Sequence, residues 1–220
     1  MLVDTQTYRG HKIRIETDDD PLNPRVDYDN LGTMVCFNKR YDLGDKGHGH
    51  DDPEEFQAWL KAEAKNLIAL RLYLYDHSGI TMNTGGYSHC DAHGWDWGCV
   101  GILYITKAKV RKEYGWKVIT KARREKIEKY LRSEVETYAQ YLEGAVYGYK
   151  VDLPEEELDG SCWGYFGYDH EKSGLYESAH SAIDYHIRNK REKYFDQLKK
   201  WIRNRVPLRI RNGAPETVFA

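Results

Sequence analysis

The chain has 220 residues, 40% hydrophobic and 31% charged, with a formal net charge of -2. Its 18 Tyr, 6 Trp and 5 Phe are enough to build a core, which excludes a disordered composition. No apolar run approaches the roughly 18 residues that a membrane helix needs.

In chain order, the first apolar alternation is His11-Lys-Ile-Arg-Ile-Glu16, which reads as a half-buried strand. An acidic, Pro-containing break over 18–24 follows, and Thr33–Phe37 reads as a short buried strand. A loop rich in Gly, Asp and His covers 42–52. Asp52 is a good helix N-cap with Pro53 behind it, and Phe56, Trp59, Leu60 and Leu67 share a face, so a helix is predicted over about 53–66. In Ile68–Tyr75, Leu70, Leu72 and Leu74 alternate with Arg71, Tyr73 and Tyr75, which predicts a strand. Residues 76–98 form a long Gly-rich stretch with little periodicity; a loop of that length is functional or hides a short hairpin.

Cys99–Ile105 is the best buried-strand candidate. Thr106 can cap a short helix closed by Gly115. Thr120 can cap a longer one in which Ile127, Leu131, Val135, Tyr138 and Leu142 repeat on one face until Gly144. Strands are predicted over 146–151 and 159–167, a helix over about 176–204, and a tail over 208–220. The total is α+β: an antiparallel or mixed sheet of four to five strands with three to four helices, the last of them long. The simplest organisation is one α+β domain over 1–175, with the C-terminal helix and tail, 176–220, packed on it.

The charge is segregated along the chain. Residues 1–60 hold 13 acids against 7 bases, 107–132 hold 11 bases against 3 acids, 133–159 hold 8 acids against Lys150, and 188–211 hold 10 bases against 2 acids. Such blocks fold against each other, form solvated faces, or make acidic and basic patches for charged partners. The near-neutral sum argues against a dedicated duplex-DNA binder. Cys36, Cys90, Cys99 and Cys162 form no CxxC pair, so no disulfide framework or zinc ribbon is indicated. The opening residues are polar and mixed, unlike a secretory signal, so the expected setting is a reducing cytoplasm.

Five words in series carry a resemblance: Asp29-Asn-Leu-Gly-Thr-Met-Val-Cys36, Arg40-Tyr-Asp-Leu-Gly-Asp45, Leu74-Tyr-Asp-His-Ser-Gly-Ile-Thr-Met82, Val146-Tyr-Gly-Tyr149 and Ser161-Cys-Trp-Gly164. Together they resemble a family of small accessory proteins encoded by bacteriophages and in phage-rich gut metagenomes, a family without an assigned activity. The similarity runs over residues 26–167 and departs from the family pattern before Asp45 and after Trp95, where extra His and Trp residues stand. The resemblance implies a protein that acts on host machinery in the host cytoplasm: inhibiting a defence nuclease, sequestering a signalling nucleotide or redirecting a host enzyme.

Side chains able to carry chemistry are densest between Asp42 and Trp97. His48, His50, His89 and His93 are the candidate metal ligands, because imidazole, thiol and carboxylate groups recur near them; none of the established ligand spacings is present. No cofactor is expected, and a divalent metal is the alternative. Asp76, His77 and Ser78 are residue types of nucleophilic catalysis, yet adjacent side chains point opposite ways and cannot form a relay alone. Asp76 with His77 is the acid–base pair to test.

The candidate ligand or partner surface is Arg40, Tyr41, Asp45, Asp76, His77, Ser78, Thr81, Trp95, Asp96, Trp97 and Trp163. Tyr and Trp serve as binding anchors, against a competing role in the core. No P-loop or GxGxxG occurs. Three readings follow. The first is a non-catalytic effector that binds a host protein, an anti-defence inhibitor in type. The second is a protein that sequesters a nucleotide. The third is a metal-dependent hydrolase or nuclease built on Asp45, His48, His50, Asp76 and His77. A membrane partner is not expected, and nucleic acid is not favoured.

Overall fold

A computed structural model describes residues 1–91, 93–153 and 160–205. The order is β1 (Leu2–Tyr8), β2 (His11–Thr17), β3 (Thr33–Cys36), α1 (Pro53–Glu63), a 3-10 turn (Ala64–Asn66), β4 (Leu67–Asp76), β5 (Ile80–Asn83), β6 (Trp97–Thr106), α2 (Lys107–Tyr114), α3 (Lys121–Leu142), β7 (Val146–Val151), β8 (Ser161–Phe166) and α4 (Leu175–Arg205). The class is α+β as the sequence predicts, with a long last helix. Its eight described strands form two four-stranded antiparallel sheets instead of one sheet of four or five. No helix among the described residues is long and apolar enough to cross a membrane. The expected tail over 208–220, and the start of the expected strand at Asp159, lie outside the described residues.

The chain divides into two compact units. One comprises Met1–Glu16, Gly148–Trp163 and His170–Ala220; the other comprises Thr17–Tyr147 and Gly164–Asp169.

One sheet has the order β1-β2-β7-β8, most of it in the first unit. β1 and β2 make a hairpin whose two-residue turn, Arg9-Gly10, has φ of 48° and 83°. Positive φ at both central residues matches the right-handed twist of a tight hairpin, and glycine bears it without strain. Ile13 and Ile15 are buried, as are Leu175, Ala179, Ile183 and His186 at the start of α4. Polar contacts fix the same turns of α4: Tyr149 Oη lies 3.1 Å from Ser178 Oγ, Tyr176 Oη donates to Asp4 at 3.0 Å, and the Tyr8 and His180 rings stack at 4.0 Å. At 1.5 Å per residue α4 is about 46 Å long, and none of its residues after His186 is buried.

The second unit holds the sheet β3-β6-β4-β5, antiparallel throughout. Period-two alternation gives it two distinct faces. Ile68, Leu70, Leu72 and Leu74 of β4 meet Ile127, Leu131, Val135 and Tyr138 of α3 on one face. On the other, Val35, Leu67 and Tyr104 meet Phe56, Trp59 and Leu60 of α1. The unit is therefore helix, sheet, helix in section.

Sequence chemistry sets the helix ends. Asp52 accepts from the N–H groups of Glu54 and Glu55 at 2.8 Å each, Thr106 from Lys109 and Thr120 from Arg123. Beneath this core lies a buried ion cluster. The Arg25 guanidinium donates to both Asp45 oxygens at 2.6 and 2.8 Å, to Glu134 at 3.2 Å and to the Gly32 carbonyl at 2.9 Å. Glu134 accepts from Leu31 N–H at 2.6 Å, and Asp45 from Met34 N–H at 2.9 Å. The cluster ties the segment before β3 and the loop after it to α3.

Candidate functional site

The candidate site lies where β4 ends and β6 begins. Strand pairing sets Tyr75 opposite both Thr81 and Trp97. Asp76 N–H donates to the Asp96 carbonyl at 2.8 Å, which holds the two strand ends together.

The loop bearing Arg40 and Tyr41 reaches this end. Arg40 Nη1 donates to Asp76 at 2.8 Å, and Tyr41 Oη to the Asp76 oxygens at 3.0 and 3.1 Å. The Arg40 guanidinium also lies 5.2 Å from the Tyr41 ring centre. Burial and the bond to Asp76 raise the Tyr41 phenol above its usual range, so it stays a donor at neutral pH. His77 is exposed, and its Nδ1 lies 2.9 Å from Asp96 Oδ2. Five of the sequence candidates (Arg40, Tyr41, Asp76, His77 and Asp96) therefore converge.

Asp76 and His77, the acid–base pair to test, have separate partners: Asp76 bonds Arg40 and Tyr41, while His77 bonds Asp96. Neighbours on a strand face opposite ways, which separates the two. Ser78 occupies a turn at φ 58°, closed by His77 N–H on the Gly79 carbonyl at 3.0 Å. Among the described residues no hydroxyl or thiol bonds the His77 ring, so the cluster contains a carboxylate–imidazole pair but no activated nucleophile.

Alongside, aromatic rings pave the sheet face. Tyr75 stacks on Tyr87 at 5.2 Å and on His77 at 5.9 Å, and Tyr73 meets Trp97 edge-on at 5.7 Å. Asp91 is bonded to the residues that lead into Trp97. Asp91 accepts from the backbone N–H groups of Trp95 at 2.5 Å, Asp96 at 3.0 Å and His93 at 3.0 Å. These bonds, that from Asp96 foremost, hold its carboxyl below the usual range. Trp97 Nε1 donates to the Asp91 carbonyl at 2.8 Å and anchors the loop's base. Trp95 is 86% exposed.

Asp45, Thr81 and Trp163 have other partners. Asp45 is committed to the Arg25 cluster, with both oxygens bonded. Thr81 bonds Glu143 at the C-terminal end of α3. Trp163 belongs to the first unit, where its ring lies over Gly148 and 5.2 Å from the Lys150 ammonium; a Cβ on Gly148 would fall 2.2 Å from that ring.

The histidines do not gather. His50 sits among Phe56, Trp59 and Tyr104, its Nε2 3.3 Å from Tyr104 Oη, and burial lowers its pKa. His48 stacks beside it at 6.0 Å. His89 lies over Tyr87 at 6.2 Å, and His93 is exposed. Among the described residues no three His, Cys, Asp or Glu side chains form a group able to hold a metal ion.

Sequence reasoning missed Arg25 and Glu134, for which no local pattern exists. It also gave no role to Asp91, whose signal is an Asp followed by a Gly-containing turn, Asp91-Ala-His-Gly-Trp95. Comparison of the chain with protein-family models, with curated proteins and with solved structures found no match.

Proposed function

We propose that this chain is a non-catalytic recognition protein that docks on a partner protein, with Trp95 as its anchor. The observation that carries this reading is a tryptophan 86% exposed, whose backbone N–H, with those of His93 and Asp96, donates to the Asp91 carboxylate. A large apolar ring kept in water gains free energy only when a partner covers it, and a preordered loop loses little entropy in binding. Tryptophan is also among the residues most enriched at binding hot spots. The Arg40–Asp76–Tyr41 group and the His77–Asp96 pair supply a polar rim beside it. The resemblance to phage-encoded accessory proteins directs the partner search to a bacterial host protein or defence component, in the host cytoplasm.

Nucleotide capture draws less support. Arg40 is committed to Asp76, and the carboxylates of Asp76 and Asp96 would face an incoming phosphate. A metal-dependent hydrolase draws none from the scattered placement of His48, His50, Asp45 and His77.

The test is capture from a bacterial host lysate at moderate salt, with wild type and Trp95→Ala in parallel. Truncating an exposed side chain should leave the melting temperature unchanged, while a hot-spot loss of about 2 kcal/mol or more weakens the captured partner at least about 30-fold. A partner held equally by both proteins, or none held by wild type, refutes the proposal.

A further inference from the structure

A second candidate site, independent of the Trp95 loop, lies on the α1 face of the second unit. α1 buries only Phe56, and Trp59 beside it packs on Tyr104; toward Arg71 and Cys99 a cleft of about 440 Å³ stays open between helix and sheet. That volume is within the roughly 300–1,000 Å³ of small-molecule sites.

Its walls are apolar: Phe37, Phe56, Leu60, Val100 and Ile102. Among the described residues its only charged lining side chains are the cations Lys61 and Arg71, with no carboxylate. The bias is notable because residues 1–60, which supply much of the wall, hold 13 acids against 7 bases. Arg71 stands mid-strand between Leu70 and Leu72, and neither it nor Lys61 has an ion-pair partner among the described residues. The strand geometry opens the site as well. A bulge in the β4–β6 pairing between Leu72 and Tyr73 sets Tyr73 opposite Cys99 and skips Val100, and bulges re-aim side chains in this way.

We infer that this cleft binds a small amphipathic carboxylate, its apolar body between Phe56, Leu60 and Ile102 and its head group on Arg71 and Lys61. Apolar walls favour a hydrocarbon or aromatic body, and two cations with no acid beside them select a negative head over a neutral or positive one.

Cys99 lines the same cleft and reports on it, with exposed Cys90 and Cys162 as controls on the same molecule. The purified full chain is alkylated with iodoacetamide with or without octanoate, and each cysteine is followed by peptide mass spectrometry. Octanoate should slow alkylation of Cys99 several-fold and leave Cys90 and Cys162 unchanged. Octanamide, of the same length but neutral, should need about tenfold more ligand for the same protection, as should octanoate with Arg71→Gln. Arg71 is exposed, so that variant keeps its fold, checked by circular dichroism. Ile102→Trp, which fills the cleft, should abolish protection. The inference is overturned by no protection of Cys99 up to the solubility limit, by equal protection from octanoate and octanamide, or by undiminished protection in Arg71→Gln.

Discussion

Replacing Arg25 with Met removes a cation whose side chain is 0% exposed and leaves the carboxylates of Asp45 and Glu134, 19% and 8% exposed, without it. Methionine fills much of the same volume, so the loss is chiefly electrostatic. Removing one partner of a buried ion pair costs about 3–5 kcal/mol, because the charge left behind stays desolvated. The four hydrogen bonds of the guanidinium are not added separately, since they act as one network.

The pH dependence is the sharper test. Burial raises the Glu134 pKa above its usual value, although Arg25 and the backbone N–H groups pull it back. Without Arg25 it rises further. A carboxyl whose folded pKa is raised contributes stability that is fully present below its unfolded pKa and is lost as pH rises through the folded one. The deficit of Arg25→Met should therefore be greatest at neutral pH and narrow toward the ordinary glutamate range. Urea unfolding followed by circular dichroism should give a loss of about 3–5 kcal/mol at pH 7 and about half of that or less near pH 4.5. An equal deficit at both pH values, or one below about 1 kcal/mol at pH 7, the magnitude of a surface pair, refutes the reasoning.

Two further predictions concern single side chains. Asp91→Ala removes the acceptor of three backbone N–H groups, so amide exchange at residues 93–96 should quicken about fivefold, the factor for a lost cap of about 1 kcal/mol. In the wild type the same capping is present above the unfolded pKa of Asp91 and is lost only as pH falls through its lowered folded value; exchange that ignores the substitution would show that the carboxylate does not hold the loop. Burial pushes the Cys36 thiol up to about 12, so iodoacetamide at neutral pH should label Cys90, Cys99 and Cys162 and leave Cys36 unmodified in the native protein. Labelling of Cys36 at the rate of the others would contradict its placement at the end of β3, paired with Gly101 of β6.

How much of this was legible follows from how local each signal is. The helix boundaries were, because an N-cap acts within three residues: Asp52, Thr106 and Thr120 each bond the backbone they precede, and Gly115 takes φ 65° at the end of α2. β4 was legible because one of its faces is fully buried and Leu70, Leu72 and Leu74 mark it. β1 was not. It is an edge strand exposed on both faces, so Leu2–Tyr8 carries no buried alternation, and its place in a sheet depends on pairing with β2. β5 is four residues inside a Gly-rich stretch and shows itself only through its register with β4. Two sheets in place of one could not be read at all, since strand pairing is a non-local choice. At the site, Arg40, Tyr41, Asp76, His77 and Asp96 lie together, whereas the partner of each charge did not follow from proximity in sequence. Asp45 shows the same limit: its neighbours resemble a metal site, while its partner is Arg25, 20 residues before it.

The segregated charge resolves differently in its separate blocks. Part of the acidic block over 133–159 is drawn inward, where Glu134 meets Arg25. In the basic block over 107–132, Arg124 pairs with Glu128 and Lys121 with Glu125 one helical turn on, so acids inside the block answer some of its charge. Over 188–205, α4 carries eight bases against Glu192 and Asp196. Three of these cations lie over aromatic rings of the same helix: Arg188 over Tyr185, Arg191 over Phe195 and Arg205 over Trp201, at 5.4 to 5.7 Å. Rings and guanidinium groups three or four residues apart shield each other locally. An exposed aromatic on α4 is thus covered in part by its own neighbours, whereas the Asp91 turn holds Trp95 clear of any such cover. That contrast is why one exposed tryptophan is read as an anchor for a partner and the other is not.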